Sequence, residues 1–412
     1  MVPADSAGAG AANGSHGGPA LLRQLNERGV FETLRASGPM ARTEVAHRLG
    51  VSMPTVSKAI RKLLAAGLVE EVPAGGAADE ENGSAADAAP RRTGRPSVSY
   101  RLAGDGVQVV GVSINVRHCR VCAAGLDGTI RPDSVATIQT PDSFEALIDA
   151  IEERVRPLVE ADGVRTLVLA VSVPGEVDSE EGRVLLSPNL WFTDNTSPAA
   201  TLSARLGVDA VLVHETDATC LAEQAFGAAR NVDDLVIVGV YEGFGASVIS
   251  GGRLLRGHRG LAGELGHITV APEGRLCGCG NRGCLETEAT DQAFARRVSE
   301  RVGRRMEVEQ VVREGTAGKL DVREDLDATL EFLAIGVAAA INIFNPEVVL
   351  VCADMLDCDP GAFGRLEHRA RRRALGPTAQ GCRLLRAKGD TLVGAVAAAV
   401  HHLTRSLGPR LG

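Results

Sequence analysis

The sequence predicts an α/β chain in two parts, an N-terminal winged helix-turn-helix followed by a larger two-lobed α/β domain. Three observations predict it: capped helical patterns between residues 21 and 67, two copies of a hairpin followed by helices and a buried strand, and a histidine–cysteine constellation inside the second copy. The 412 residues suit two or three domains, and 44% hydrophobic against 23% charged residues suits buried cores. No apolar run is long enough for a membrane span. Residues 1–20 are polar and Gly/Ala-rich, without a basic and then apolar leader, and are expected to form a disordered tail. The expected location is cytoplasmic, where nine cysteines need not mean disulfides.

Charge divides unevenly. The whole chain carries a net −8, yet residues 20–68 hold eight basic side chains against three acidic ones. A basic patch near one end of an acidic chain points to a nucleic-acid module.

That module is expected over residues 21–103. Apolar residues at Leu21, Leu22, Leu25, Val30, Phe31 and Leu34 fit an amphipathic helix ended by Gly38. A second helix starts near Arg42, Gly50 and Val51 turn the chain, and Ser52 caps a third helix that ends near Gly67. Val45, Leu49, Val56, Ile60 and Leu64 are spaced as a core. This leaves Ser52, Thr55, Ser57, Lys58, Arg61 and Lys62 exposed or facing a groove. Short hydroxyl side chains at the start of such a helix can approach base edges, and the later cations neutralise phosphates. The alternative is a three-helix bundle with a solvated basic face. GLVEEV and SVSYRL then read as wing strands around an acidic, disordered insertion at about 74–90 and a basic end, Arg91, Arg92 and Arg95. Arg95, in the extended Gly94-Arg95-Pro96, suits a minor groove. The alternative there is a plain linker.

The larger domain is expected over residues 104–412. Residues 107–130 alternate like two strands with a turn at Asp127-Gly128, followed by a helix at about 142–161 and the strand TLVLAVSVPG. A similar order begins at Asp234 and reaches EVVLVCAD. One lobe would cover about 104–224 with a C-terminal helix at about 393–406, and the other about 225–392, with a cleft between them. Within the second copy, His267, Cys277, Cys279 and Cys284 form H-x9-C-x-C-x4-C. One imidazole and three thiolates are the tetrahedral set that zinc prefers, with a disulfide or coincidence as the rivals. Cys119 and Cys122 fall on opposite faces of a strand and read as core residues, as do Cys220, Cys352, Cys358 and Cys382.

The pairing of ELGH with CGCGNRGCLE resembles the signature of the ROK family (repressors, open reading frames and kinases of sugars), from about residue 107 to the end. The resemblance implies an actin/hexokinase-like fold, and the winged helix with GRPS near its end is similar to the family's xylose- and N-acetylglucosamine-type repressors. Family kinases carry a D-x-G-G-T phosphate loop where this chain has Ser113-Ile114-Asn115-Val116-Arg117. Their G-T-G-x-G segment is Tyr241-Glu242-Gly243-Phe244-Gly245, and the Gly-Gly beside the adenosine is Cys352-Ala353. ATP binding and catalysis are therefore not expected. The E-N-D-x-N segment reads Glu215-Thr216-Asp217-Ala218-Thr219, so Asp217 matches the kinase base. The resemblance assigns sugar contacts to Thr216, Asp217, Glu264, His267 and Glu286; for Asp217 the alternative is a residual structural carboxylate.

These residues lead to the expectation of a repressor of carbohydrate-metabolism genes that binds zinc. A sugar or sugar phosphate between the lobes would alter its affinity for operator DNA. A homodimer or homotetramer reading an inverted repeat is expected, without membrane association. The alternative is a ROK sugar kinase with an appended DNA-binding domain.

Overall fold

The computed structural model describes residues 19–73, 98–240 and 243–407. Most of the expected tail, the acidic wing insertion, Arg91, Arg92, Arg95, Tyr241 and Glu242 lie outside the described residues. The chain divides into two compact units, residues 1–103 with 403–412, and residues 104–402.

The first unit opens with α1 (Pro19–Ser37), which stops where Gly38 takes a left-handed φ of 74°. β1 (Met40–Ala41), α2 (Arg42–Leu49) and α3 (Met53–Ala65) follow, then β2 (Val69–Pro73) and β3 (Val98–Leu102). Gly50 closes α2 in the left-handed region, and Ser52 caps α3 by accepting the Thr55 N–H. The strands order as β1-β3-β2, all antiparallel. β1 had no sequence signal, because a two-residue strand has no period and is defined by its partner β3.

The core of this unit differs from the expected one in three places. Leu63, not Leu64, is buried on α3, and Leu49 is half-buried. On α1 the apolar spacing continues through Leu22 and Leu25, but these are 60% and 42% exposed, and the helix enters the core from Val30, Phe31 and Leu34 onward. Periodicity reports an apolar face, and the packed partners decide where burial begins.

Two polar arrangements hold the module together. Tyr100 is fully buried; its hydroxyl accepts from Arg42 Nε at 2.7 Å and donates to Glu71 Oε1 at 3.1 Å, tying α2 to the wing. Lys62 Nζ donates to Glu27 Oε2 at 2.7 Å, and the Glu27 carboxylate is 2% exposed. Lys62, itself largely exposed, thus compensates the buried Glu27 charge inside its own unit. Lys62→Ala strands a buried carboxylate and is expected to cost about 1–3 kcal/mol in denaturant unfolding. Arg61→Ala, one position earlier on the exposed face, should leave the unfolding midpoint unchanged.

The second unit repeats one topology. Its first half runs β4 (Val107–Ile114), β5 (His118–Ala124), β6 (Ala136–Gln139), α4 (Phe144–Val159) and β7 (Arg165–Val173). The short pair β8 (Glu176–Asp178) and β9 (Arg183–Leu186) leads to α5 (Pro198–Leu206), β10 (Ala210–His214) and α6 (Glu215–Ala225). The second half runs β11 (Leu235–Gly239), β12 (Gly245–Ser250), β13 (Arg253–Leu254), α7 (Glu286–Ala289), α8 (Asp291–Val302), α9 (Val308–Thr316) and α10 (Arg323–Phe344). It ends with β14 (Val348–Cys352), α11 (Ala362–Arg373), α12 (Gly376–Gly381), β15 (Arg383–Arg386) and α13 (Thr391–Ser406), whose last four residues fall in the first unit.

The two sheets, β6-β5-β4-β7-β10 and β13-β12-β11-β14-β15, share one connectivity. In each, a meander of three antiparallel strands is extended from its first strand by two parallel ones. The first hairpin turns at residues 115–117, between Ile114 and His118; Asp127-Gly128 is the next turn, after β5. The expected alternation is also absent, because every residue of β4 is buried, as in a strand covered on both faces. Among the described residues α10 is the one helix long and apolar enough to cross a bilayer. It packs Leu326, Leu330, Leu333, Val337 and Ile341 into the core of the second half. Gly394 lets α13 approach α6, since a Cβ there would lie 2.9 Å from the Ala218 carbonyl carbon.

Candidate metal loop and carboxylate site

The metal-type ligands sit on a tight loop between β13 and α7. His267 closes a short 3-10 turn, and Thr269 bridges to Cys284 while Leu276 bridges to Arg282. Gly283 makes the fold-back possible: its φ is 66°, and a Cβ there would stand 1.5 Å from the Ala271 carbonyl oxygen. His267, Cys277, Cys279 and Cys284 place their ligand atoms within 4.8 Å of one another. Cys277 Sγ is 3.7 Å from His267 Nδ1, and Cys279 Sγ is 3.7 Å from Cys284 Sγ. Bonds of about 2.3 Å to sulfur and 2.0–2.1 Å to nitrogen put the corners of a zinc tetrahedron about 3.5–3.8 Å apart, so the donor set fits. Burial pushes the Cys277 thiol up to about 12, so it needs a cation at hand to ionise. The Asn281 backbone N–H holds the exposed Cys279 thiol below its ordinary value.

Beyond the loop the residues assigned to sugar contact draw together. Glu286 opens α7; its Oε2 accepts the Phe244 N–H at 3.0 Å, and its Oε1 is 3.4 Å from Cys277 Sγ. Glu264 Oε2 lies 3.8 Å from His267 Nε2, so that ring nitrogen faces carboxylates while Nδ1 faces sulfur. Glu176, on β8 of the other half, joins Glu264 and His267 with ligand-type atoms within 4.8 Å. Burial, then the neighbouring Glu176, Glu286 and Asp217, hold the Glu264 carboxyl well above the usual carboxylate range, although part of its side chain reaches solvent.

Asp217 lies in the first turn of α6, partly accessible. Ser247 Oγ donates to its Oδ1 at 2.5 Å. Burial raises its carboxyl above the usual value, opposed by the charges of His214 and Arg256 and by the Ser247 hydrogen bond. The buried Thr216 packs its hydroxyl against Gly245, where a Cβ would stand 2.2 Å away. Glu176, Ser247, His214 and Arg256 carried no sequence signal, since each reaches the site from a separate strand or loop.

The segment matching the first kinase phosphate loop is packed against other parts of the chain. The fully buried Ser113 pairs its hydroxyl with Thr391 Oγ1 at 2.6 Å, and Asn115 Nδ2 donates to both. Arg117 reaches from the first half to the second, pairing with Glu309 and with Glu307 at 3.5 Å. Cys352 and Ala353 are buried, and the next two backbone N–H groups, of Asp354 and Met355, donate to Asp291 at 2.8 Å.

In the first unit Lys58 and Arg61 stand exposed on α3, Thr55 and Ser57 are half-buried, and Ser52 spends its oxygen on the cap. The Ser52 and Thr55 hydroxyls also lie 2.8 Å apart.

A carboxylate set beside a thiolate-rich loop, in a duplicated α/β body behind a helix-turn-helix, defines a sugar-kinase-like domain joined to a DNA-binding module. The pattern of the ROK family matches residues 109–402, and that of a helix-turn-helix domain matches residues 26–72. The chain belongs to the ROK family. It is 26% identical over 374 residues to the N-acetylglucosamine repressor of Escherichia coli O6:H1, covering 86% of each chain. It is 30% identical over 277 residues to the glucokinase of Thermotoga maritima, which spans 64% of this chain and 87% of that enzyme. A crystal structure of a ROK family transcriptional regulator, a homologue of the Escherichia coli MLC protein, superposes with a TM-score of 0.79 at 24% identity. That match covers 94% of this chain and 98% of the other, so the fold is shared through both units' length.

Proposed function

We propose that this protein is a sugar-responsive transcriptional repressor whose affinity for operator DNA changes when a sugar binds beside the metal loop. One combination carries the reading. A helix-turn-helix with free cations shares a chain with a sugar site whose carboxylates are in place and whose first phosphate segment is occupied by the chain itself. Zinc, held by His267 Nδ1 and the three thiolates, would act as a closed structural ion. Asp217, Glu264 and Glu286 accept hydrogen bonds from sugar hydroxyls, with Thr216 and His267 Nε2 beside them. The coupling requires differential affinity of the two DNA-binding states for the sugar; a few kcal/mol, roughly a hundredfold, is enough.

DNA is read by the early part of α3, Thr55, Ser57 and Lys58, while Arg61 and the wing Arg95 contact phosphate or the minor groove. A homodimer or homotetramer on an inverted repeat supplies the second half-site. The test is equilibrium binding to operator and random DNA at several salt concentrations, with and without sugar. Arg61→Ala should weaken both DNAs and lower the salt slope by about one ion. Thr55→Ala should narrow the gap between operator and random DNA by about 1–3 kcal/mol. Equal losses on both DNAs from both variants would remove α3 as the reader.

The chain is not a kinase in this reading. Phosphate would meet the Arg117–Glu309 ion pair and buried side chains instead of bare backbone N–H groups. A coupled ADP assay with glucose, N-acetylglucosamine or xylose should show no turnover above background; steady turnover would make the kinase reading the right one.

A further inference from the structure

We propose that the two halves of the second unit are clamped together by two arginine fastenings, one reaching across from each half, and that neither needs a ligand. The first starts at Arg117, in the turn of the first hairpin. Its guanidinium spreads over two carboxylates of the second half, with Nη1 on Glu309 and Nη2 3.5 Å from Glu307 Oε2. Glu307 precedes α9 and Glu309 lies in its first turn. Arg305 also pairs with Glu307, at 3.1 Å, so this carboxylate sits between cations from both halves. These side chains are about half exposed or more, and such pairs are weak and screened by salt.

The second fastening runs the other way. Arg259, on the loop after β13, sends Nε and Nη2 to Asp178 Oδ2, each at 2.8 Å. Asp178, on β8 of the first half, is 1% exposed, and its Oδ1 accepts the Glu180 and Glu181 N–H groups at 3.1 and 3.0 Å. Both oxygens of this buried carboxylate are held, and the guanidinium supplies the opposite charge that burial demands. The backbone takes part as well. The Ser179 N–H donates to the Arg259 carbonyl at 3.3 Å, and a Cβ on Gly260 would stand 2.3 Å from Ser179 Oγ. Arg259 itself has a left-handed φ of 61°, which a non-glycine residue keeps only where its surroundings impose it. Strain at this residue is offset by a contact between the halves. A ligand then acts on halves that are already joined.

Burial separates the two fastenings: rising salt should loosen the Arg117 set and leave the Arg259 pair in place. The experiment measures the distance between the halves by single-molecule energy transfer, in the full-length, zinc-loaded protein without sugar. Dyes are carried on azidophenylalanine at the exposed positions of Glu153 and Glu324, one in each half, with labelled subunits diluted into unlabelled protein. The wild type should keep one distance from about 0.05 to 1 M salt. Arg259→Gly removes the guanidinium and suits the left-handed backbone, so the loop should still form. Its halves should stay together at low salt, held by Arg117, and separate as salt rises, the open fraction growing about two- to fivefold. Adding Arg117→Glu should open them at every salt concentration, and Glu309→Arg added to that chain should close them again at low salt. An unchanged distance in the Arg259→Gly, Arg117→Glu protein overturns the clamp. Opening that Glu309→Arg leaves uncorrected overturns the role of Arg117. Because no sugar is present, neither outcome bears on the sugar-site reading.

Discussion

Cys284→Ser is expected to empty the metal loop and to remove the sugar response while leaving DNA binding intact. The purified wild type should carry one zinc per chain, measured by plasma emission, and the variant close to none. In the proposed site three thiolates and one imidazole would hold the ion, and losing the buried Cys284 thiolate leaves an incomplete tetrahedron that includes the exposed Cys279 and the half-buried His267. The effect should spread along two contacts. His267 loses the ion that fixes its Nδ1 toward sulfur, freeing the ring that meets Glu264. Glu286, two residues beyond Cys284, loses the anchored loop that sets its approach to Phe244. Sugar affinity should fall by more than about tenfold, the range seen when groups that orient a metal site are lost. The winged unit has its own core, so operator affinity without sugar should be unchanged. A metal-free wild type with full sugar response would show that this loop is held by something other than zinc.

Asp217→Asn should weaken sugar binding by about 10- to 100-fold, the worth of a hydrogen bond to a charged acceptor. Ser247→Ala tests how that acceptor is kept charged. Burial works against ionisation of the Asp217 carboxyl, while His214, the Ser247 hydroxyl and Arg256 lower it. Removing the hydroxyl moves the Asp217 titration upward. Since the ionised form is the better acceptor, sugar affinity in Ser247→Ala should be lost at a higher pH than in the wild type as pH falls. Ser247→Thr, which retains the hydroxyl, should restore the wild-type profile. Calorimetry across pH separates the cases: identical profiles for all three proteins would mean that Ser247 only packs.

What the sequence determined by itself is local in origin. Gly38, Gly50, Ser52 and Gly67 punctuate the three helices because caps and left-handed turns depend on one or two residues. The four metal-type ligands were legible because three fall within eight residues. Asp217, Glu264 and Glu286 came from short motifs that match a family.

Only the tertiary structure decided the rest, for one physical reason: the partners are far apart in sequence and carry no mutual pattern. The choice of Leu63 over Leu64 follows from the helices packed against α3. Lys62, expected to contact phosphate, is also the counter-ion of Glu27, thirty-five residues away. Arg117 reads in the sequence as a damaged phosphate loop, and folding supplies Glu309, 192 residues on, as its partner. Glu176 enters the carboxylate site from the opposite half, with no sequence pattern linking it to Glu264 or His267.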